Sequence, residues 1–547
     1  MRNFKFKRSL TLVAVSSLLS ITVVSIPTAA QATPVCTTAN FVTTCLGATS
    51  DTAPYMLMTP ANFNGTVYLY SHGYRPNVPV PAGIPGYGGY TVTNTPEPAP
   101  GGNAQIIGTL LAKGYAVMGS GFARQGWNAD SAIKTNVELI GVFKKQYPKT
   151  TKVVAWGNSL GGFITQALAE KYPDLISAAA PLCMASDLTP LMTFAGDALW
   201  GIKTFFDPTI KGGNYSAGTA GYAEAMGDLV KVFTVMGKLQ AALATGAWPD
   251  TASPTGKSLA AAGVPSRSAL LLLGLMAGLP TQSAHFDSVS GPEGALKLTF
   301  PLALSPALAI LENGTNAAAL AVLATQDVEN QAGGAIFDNT KTDYAARIDG
   351  ERVIYNAALS GNTVIDALLG ALSAANPGAP RAVANPAAVA KMNALHTNTG
   401  KINVPTVLMV GMADPITPAG ASQRLVDLYA EQYAAEKAAA VKAYQSTRDY
   451  KNPSNNLLML WSVTPDSYTK FNAAGSPITT TPAAPGTNHC NFTTSQWLLD
   501  ARSLVQASKT GKLPSGGALY TAVRKAGNLS IDKGISPPWL KYYGDNR

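Results

Sequence analysis

Charge is scarce in this chain. Asp, Glu, Lys and Arg supply 13% of the residues, about half the ~25% usual in soluble domains. The formal net charge of +9 is also concentrated at one end: Arg2, Lys5, Lys7 and Arg8 stand in a first segment, 1–32, that holds no acid. Setting that segment aside, +9 − 4 leaves +5. No basic cluster interleaved with aromatics follows, which excludes the usual nucleic-acid surface. Long apolar runs are missing after the N-terminus too. The longest, Ala269–Leu279, falls short of the about 18 residues of a spanning helix, so no stable membrane insertion is expected of the mature chain. Hydrophobic residues nevertheless make up 46%, enough for a sizeable core and too many for broad disorder.

Histidine is the next scarcity. The four, His72, His285, His396 and His489, are too scattered for a zinc site, and no H-E-x-x-H occurs. Thr255-Gly256-Lys257-Ser258 resembles the end of a phosphate-binding loop, but Thr251 stands where its first glycine belongs and no strand precedes it. Gly119-Ser120-Gly121 lacks the third glycine of a dinucleotide fingerprint. No metal and no cofactor is implied.

The first segment reads as a signal peptide. A basic stretch from Arg2 to Arg8 is followed by an apolar run, Leu10 to Ile26, and by Ala30-Gln31-Ala32, a small-x-small cleavage site before Thr33. Secretion is expected. The four cysteines, Cys36, Cys45, Cys183 and Cys490, suit an oxidising compartment and allow two disulfides in three pairings. Cys36 with Cys45 is the local choice, which leaves Cys183 with Cys490.

At 547 residues the chain exceeds one ordinary core. Two regions alternate strand-like runs with helical stretches. In the first, 33–184, strands are expected at Gly65–His72, Tyr115–Gly119, Lys152–Trp156 and Ile176–Leu182, with helices at Ala104–Lys113, Ile133–Gln146 and Gly161–Tyr172. In the second, 400–547, the pattern resumes with strands Pro405–Val410 and Leu457–Val463 and helices Ala419–Lys437 and Thr494–Ala507. Together they predict an α/β fold, one mostly parallel sheet with helices on both faces. The intervening 185–399 is rich in Ala, Leu and Gly and reads as helical, for example at Ala223–Leu239, Arg267–Leu279, Ala317–Asn330 and Asn362–Ala375. Inserted where a strand ends, it is expected as a lid over the mouth of the sheet, with the Pro/Gly-rich loop Pro79–Gly101 nearby.

Gly157-Asn158-Ser159-Leu160-Gly161 carries the chemistry. A strand precedes it and a helix follows, the setting of a nucleophile elbow, with glycines where a tight turn leaves no room for side chains. A nucleophilic serine needs a histidine base and an acid to orient it. The chain order of such folds is serine, acid, histidine, and His489 is the histidine that leaves room for an acid between. Asp414, after the strand Pro405–Val410, is that acid. Asp187 is its rival and has the alternative role of helix N-cap. The oxyanion donors are expected to be the backbone N–H groups of Tyr74, after Ser71-His72-Gly73, and of Leu160. His72 is then a wall residue.

The Tyr70–Tyr74 segment, the elbow at Ser159, the Asp414-Pro415-Ile416-Thr417-Pro418 loop and the late His489 resemble the α/β-hydrolase superfamily. That resemblance covers the core and not the insert, and it implies a Ser159–Asp414–His489 triad. Cys490 beside the base is loosely similar to tannases and feruloyl esterases, which tie the histidine loop by a disulfide. Their partner cysteine adjoins the nucleophile, where this chain has Asn158. The expected activity is hydrolysis of small-molecule or polymeric carboxylic esters with hydrophobic or aromatic groups. A secreted aminopeptidase of the same superfamily is the alternative, and would need a lid acid such as Glu224, Asp228, Asp287 or Glu293 to hold the substrate amine. A non-catalytic binding protein on this fold is the third class, though no triad residue is missing.

Overall fold

The computed structural model describes residues 33–184, 187–287, 290, 304–349, 362–395, 398–473, 477–532 and 534–535. The expected signal peptide, Glu293 and His396 lie outside the described residues. The chain enters through three antiparallel strands, β1 (Val35–Ala39), β2 (Val42–Ala48) and β3 (Pro54–Pro60). Cys36 and Cys45 face each other directly across β1 and β2 and are disulfide-bonded. None of these strands was expected from the sequence.

The strands that follow are β4 (Thr66–Ser71), β5 (Ala116–Ser120), β6 (Lys152–Asn158), β7 (Ala178–Leu182), β8 (Thr406–Gly411), β9 (Leu457–Ser462) and β10 (Leu529–Ser530). They join one sheet in the order β1-β2-β3-β5-β4-β6-β7-β8-β9-β10. β4 through β9 run parallel, and β3 meets β5 antiparallel. The chain steps from β4 sideways to β5 and then returns to β6 on the other side. The reversal opens a crevice at the carboxyl ends of β4 and β6, the usual place for a ligand in such sheets.

Alternation along the strands supplies two buried faces. Val67 and Leu69 pack on one side with α2 (Ala129–Gln146) and α3 (Leu160–Lys171). Tyr68 and Tyr70 pack on the other with α1 (Ala104–Ala112) and α13 (Thr494–Thr510). There Trp156 meets Trp497 edge to face, with ring centroids 5.9 Å apart. The last turn of the core adds α14 (Gly516–Ala526).

Between β7 and β8 come the helices of the insert: α4 (Leu188–Phe205), α5 (Gly218–Ala241), α6 (Pro254–Ala261), α7 (Ser266–Met276), α8 (Leu304–Ala332), α9 (Tyr344–Asp349), α10 (Asn362–Ala371) and α11 (Pro386–Ala394). α8 is the hub and packs on α4, α5, α7 and α11. It corrects one expectation: Pro306–Ala332 is long and apolar enough to cross a membrane, unlike Ala269–Leu279, and 71% of its most apolar window is buried within the protein. Thr255-Gly256-Lys257-Ser258 lies in α6, as helix rather than loop. Boundaries shift elsewhere. α2 starts at Ala129 instead of Ile133, and α12 (Ala419–Thr447) runs well past Lys437. The Pro/Gly-rich loop passes the carboxyl end of β5 so closely that a Cβ at Gly119 or Gly121 would strike the carbonyls of Glu97 and Asn94.

Candidate active site

Ser159 stands at the turn between β6 and α3 with φ 59° and ψ −128°. This conformation is costly for a non-glycine residue and is characteristic of functional positions. The turn closes because its neighbours have no side chains. A Cβ at Gly157 would lie 2.4 Å from the Gly161 carbonyl oxygen, and one at Gly161 would lie 2.0 Å from that of Ser71. The Ser159 N–H donates to the Leu182 carbonyl on β7 at 3.0 Å. Leu160 is the first residue of α3, so its N–H has no acceptor within the helix. The helix N-terminus favours negative charge at this point.

Asp414 and His489 lie side by side. Ala413 and Thr487 form a parallel β-bridge just beyond β8, which sets the two loops side by side. His489 Nδ1 lies 2.9 Å from Asp414 Oδ1 and 3.0 Å from Oδ2. The carboxylate is buried and accepts three backbone N–H groups: Ile416 and Thr417 at 2.9 Å and Cys490 at 3.0 Å. It is thus fixed as an acceptor for an Nδ1–H, the tautomer that leaves Nε2 free to act as base. Asp187 instead caps α4, accepting the Leu188 N–H at 2.7 Å.

Cys183 and Cys490 are bonded. Asn158 lies opposite Leu182 in the β6–β7 register, so Cys183 is one residue beyond the partner of the residue before the nucleophile. The bridge therefore ties the histidine loop to the strand next to the elbow rather than to the elbow itself. Thr417 Oγ1 donates to the Cys183 carbonyl at 2.7 Å and joins the acid loop to the same point. Among the described residues no hydrogen bond joins Ser159 Oγ to the imidazole. His489 Nε2 lies 3.4 Å from Cys490 Sγ. Bonds of this kind often form only when substrate is bound. Asp414, His489 and Cys490 cluster closely enough to suggest a metal, but a disulfide sulfur offers no thiolate, and two ligands are too few.

The loop after β4 lies against the nucleophile. A Cβ on Gly73 would come within 3.1 Å of Ser159 Cβ, a tight contact that glycine avoids. Tyr74, the next residue, lines the same cavity as Ser159 and Leu160. His72 is buried, packs on Phe122 and has Nδ1 2.8 Å from the Gly73 carbonyl oxygen. Burial, with Arg75 nearby, pushes its pKa down to about 4, so it is a neutral wall residue at physiological pH. His285 is bound to Glu312 at 2.6 Å and to the Thr481 carbonyl at 2.9 Å.

Ser159 opens on a cavity of about 110 Å³. Core residues Trp127, Phe163 and Ile416 form its floor, and α4, α7 and α8 supply Met192, Leu273 and Ala321 above. Of the lid acids expected for a peptidase, the three among the described residues are engaged elsewhere. Glu224 pairs with Lys211 at 2.6 Å. Asp228 accepts the N–H groups of Lys211 and Gly212 and the Tyr215 hydroxyl. Asp287 accepts the N–H groups of Tyr468 and Thr469. The acid beside the cavity is one the sequence did not point to: Asp327 of α8, fully buried, which bonds Tyr74, Asn77, Trp127 and Gln331. An Asp in an apolar helix was the available signal, but its core-loop partners lie 200 or more residues away in sequence.

No family model matches the chain, and no curated protein matches it. Among solved structures it is similar to feruloyl esterase B from Aspergillus oryzae at 14% identity, covering 90% of this chain and 86% of that one, with a TM-score of 0.34. An esterase from Pyrococcus furiosus matches 28% of this chain at 15% identity, with a TM-score of 0.21, and an acylaminoacyl peptidase from Pyrococcus horikoshii matches 30% at 15% identity and 0.20. The chain spans about half (55%) of the first of these two and a quarter (25%) of the second. The strand order, the antiparallel β3 and the strand–turn–helix at Ser159 are the chain's own grounds for its fold, which is that of the α/β hydrolases.

Proposed function

We propose that the protein is a secreted serine hydrolase that cleaves carboxylic esters bearing a compact apolar acyl or aromatic group. The observation that carries this is the Asp414–His489 pair, tied by Cys490 to the strand beside Ser159, together with the apolar cavity that Ser159 lines.

In this reading His489 Nε2 takes the proton of Ser159 Oγ as the oxygen attacks the ester carbonyl carbon. Asp414 holds the imidazole and stabilises the imidazolium. The backbone N–H groups of Tyr74 and Leu160 receive the oxyanion. The C–O bond to the alcohol breaks, and the alcohol leaves with the proton from His489. Water then repeats the cycle on the acyl-enzyme and releases the acid. No cofactor enters.

Residues 33–184 and 400–547 form the catalytic core in this reading, and 185–399 is the lid that chooses the substrate. The cavity is comparable with an apolar void of about 150 Å³ that accepts benzene, which suits acyl groups of one ring or a few carbons. Two disulfides fit an oxidising compartment, in keeping with export by residues 1–32. Among the described residues Glu224, Asp228 and Asp287 are engaged elsewhere, which favours the ester reading over an aminopeptidase.

The test is a panel of p-nitrophenyl acyl esters beside peptide anilides. Hydrolysis of butyrate or benzoate esters is expected. Cleavage of the anilides without the esters would sink the proposal.

A further inference from the structure

Asp327 is a carboxylate with every acceptor position in use. Oδ2 accepts the Trp127 N–H at 2.6 Å and the Tyr74 hydroxyl at 3.3 Å. Oδ1 accepts Asn77 Nδ2 at 2.7 Å and Gln331 Nε2 at 2.8 Å. Gln331 reinforces the strap by donating to the Trp127 carbonyl at 3.1 Å and accepting from Arg124 at 2.8 Å. Three of the four groups on Asp327 belong to two core loops, 73–77 and 124–128, and Asp327 itself belongs to the insert.

These loops are not remote from the chemistry. The first passes Ser159 at Gly73, and Tyr74 and Trp127 both line the cavity that Ser159 opens on. The loops are bonded to each other as well, Gly126 N–H to the Arg75 carbonyl at 2.8 Å. Gly126, at φ 78°, comes so close that a Cβ there would lie 2.4 Å from Asp327 Oδ2. Ala324, one turn before Asp327, and Val328, the residue after it, line the cavity.

We propose that Asp327 is a positioning residue: its carboxylate fixes the Tyr74 loop against the nucleophile, so that the insert sets the oxyanion-binding geometry as well as covering the cavity. The proposal rests on the ester-hydrolase reading. An amide could not replace the carboxylate, because its single oxygen would serve one side of the strap and its NH₂ would face two donors on the other. Burial pushes the pKa of Asp327 up to about 6, so the ionised acceptor persists at neutral pH.

The experiment measures kcat and KM for p-nitrophenyl butyrate, with Tm alongside, for the wild type, Asp327→Asn, Tyr74→Phe and the double variant. Asp327→Asn is expected to lower kcat about 10- to 100-fold, the scale of a misplaced oxyanion donor, with KM little changed. Tyr74→Phe, which keeps the backbone N–H, is expected to lower kcat less, and the double variant to fall short of the product of the two losses. A lowered Tm with unchanged kcat in both single variants would make Asp327 a structural clamp and overturn the proposal. If Asp327→Asn does not fold, Tyr74→Phe decides alone, unchanged kcat overturning the role. A wild type that hydrolyses no ester overturns the ester-hydrolase reading itself. An active wild type with an equally active Asp327→Asn overturns the positioning role alone.

Discussion

The core and the insert use their residues differently. In the core Ser159, Asp414 and Tyr74 follow the carboxyl ends of β6, β8 and β4, with backbone bonds on Asp414 and glycines that admit close approach around Ser159, and His489 stands on a loop bridged to the one that carries Asp414. The insert reaches the same cavity with aliphatic side chains from helices and places one buried carboxylate, Asp327, among the core loops. The difference separates two tasks. A strand end fixes a reacting atom, and a helix face shapes the space beside it.

The separation is broken most severely by Ser159→Ala. Loss of ester hydrolysis by at least about 10⁴-fold is expected, with little change in Tm, since the residue is the proposed nucleophile and not a core group. Steady-state rates beside a thermal melt check both halves. Asp414→Asn comes next. It can no longer favour the productive imidazole tautomer, and a loss of about 10³- to 10⁴-fold in kcat is expected.

The insert's share is tested by Ala321→Trp, which would fill the cavity from α8. The ratio of kcat/KM for butyrate over acetate esters is expected to fall by about 10- to 100-fold, the worth of one or two methylenes in a pocket. An unchanged ratio would mean that the insert covers the cavity without selecting the acyl group.

The smallest effect is on stability. The Asp327 carboxyl is held at about 6 against an ordinary 3.8. A raised carboxyl means that the folded state keeps its proton longer than the unfolded chain. Its stabilising contribution is full below about pH 4 and is lost as pH rises through 6. Asp327→Asn cannot ionise, so its stability relative to the wild type is expected to improve by about 3 kcal/mol between pH 4 and pH 8. Urea unfolding at the two pH values measures this. A pH-independent difference would contradict it. Such a residue sacrifices stability at neutral pH, which is reasonable where it orders a site.

The core was largely legible. Period-two alternation marked β4, a strand-like run marked β6, the glycine spacing marked the elbow, and chain order singled out His489 among four histidines. The even cysteine count left a local pair and a long one, and both are formed. The Thr-rich strands β1 and β2 were missed because β1 is exposed throughout and β2 is mostly half-buried, so neither gives a clear apolar alternation. The end of α12 was missed for a related reason. From about Val441 to Thr447 it is exposed on all sides, so it is helical by the propensity of Ala, Lys and Gln rather than by an amphipathic stripe. Asp327 was invisible because its meaning lies in Tyr74 and Trp127, which only the tertiary fold brings to it.

The central claim is that Ser159 is the nucleophile of this site. Reaction with a fluorophosphonate probe, followed by peptide mass spectrometry, tests it most directly. The account expects one adduct, on Ser159, absent in Ser159→Ala and lost when His489 is replaced by alanine. An unlabelled wild type, or an adduct that persists in Ser159→Ala, would contradict it.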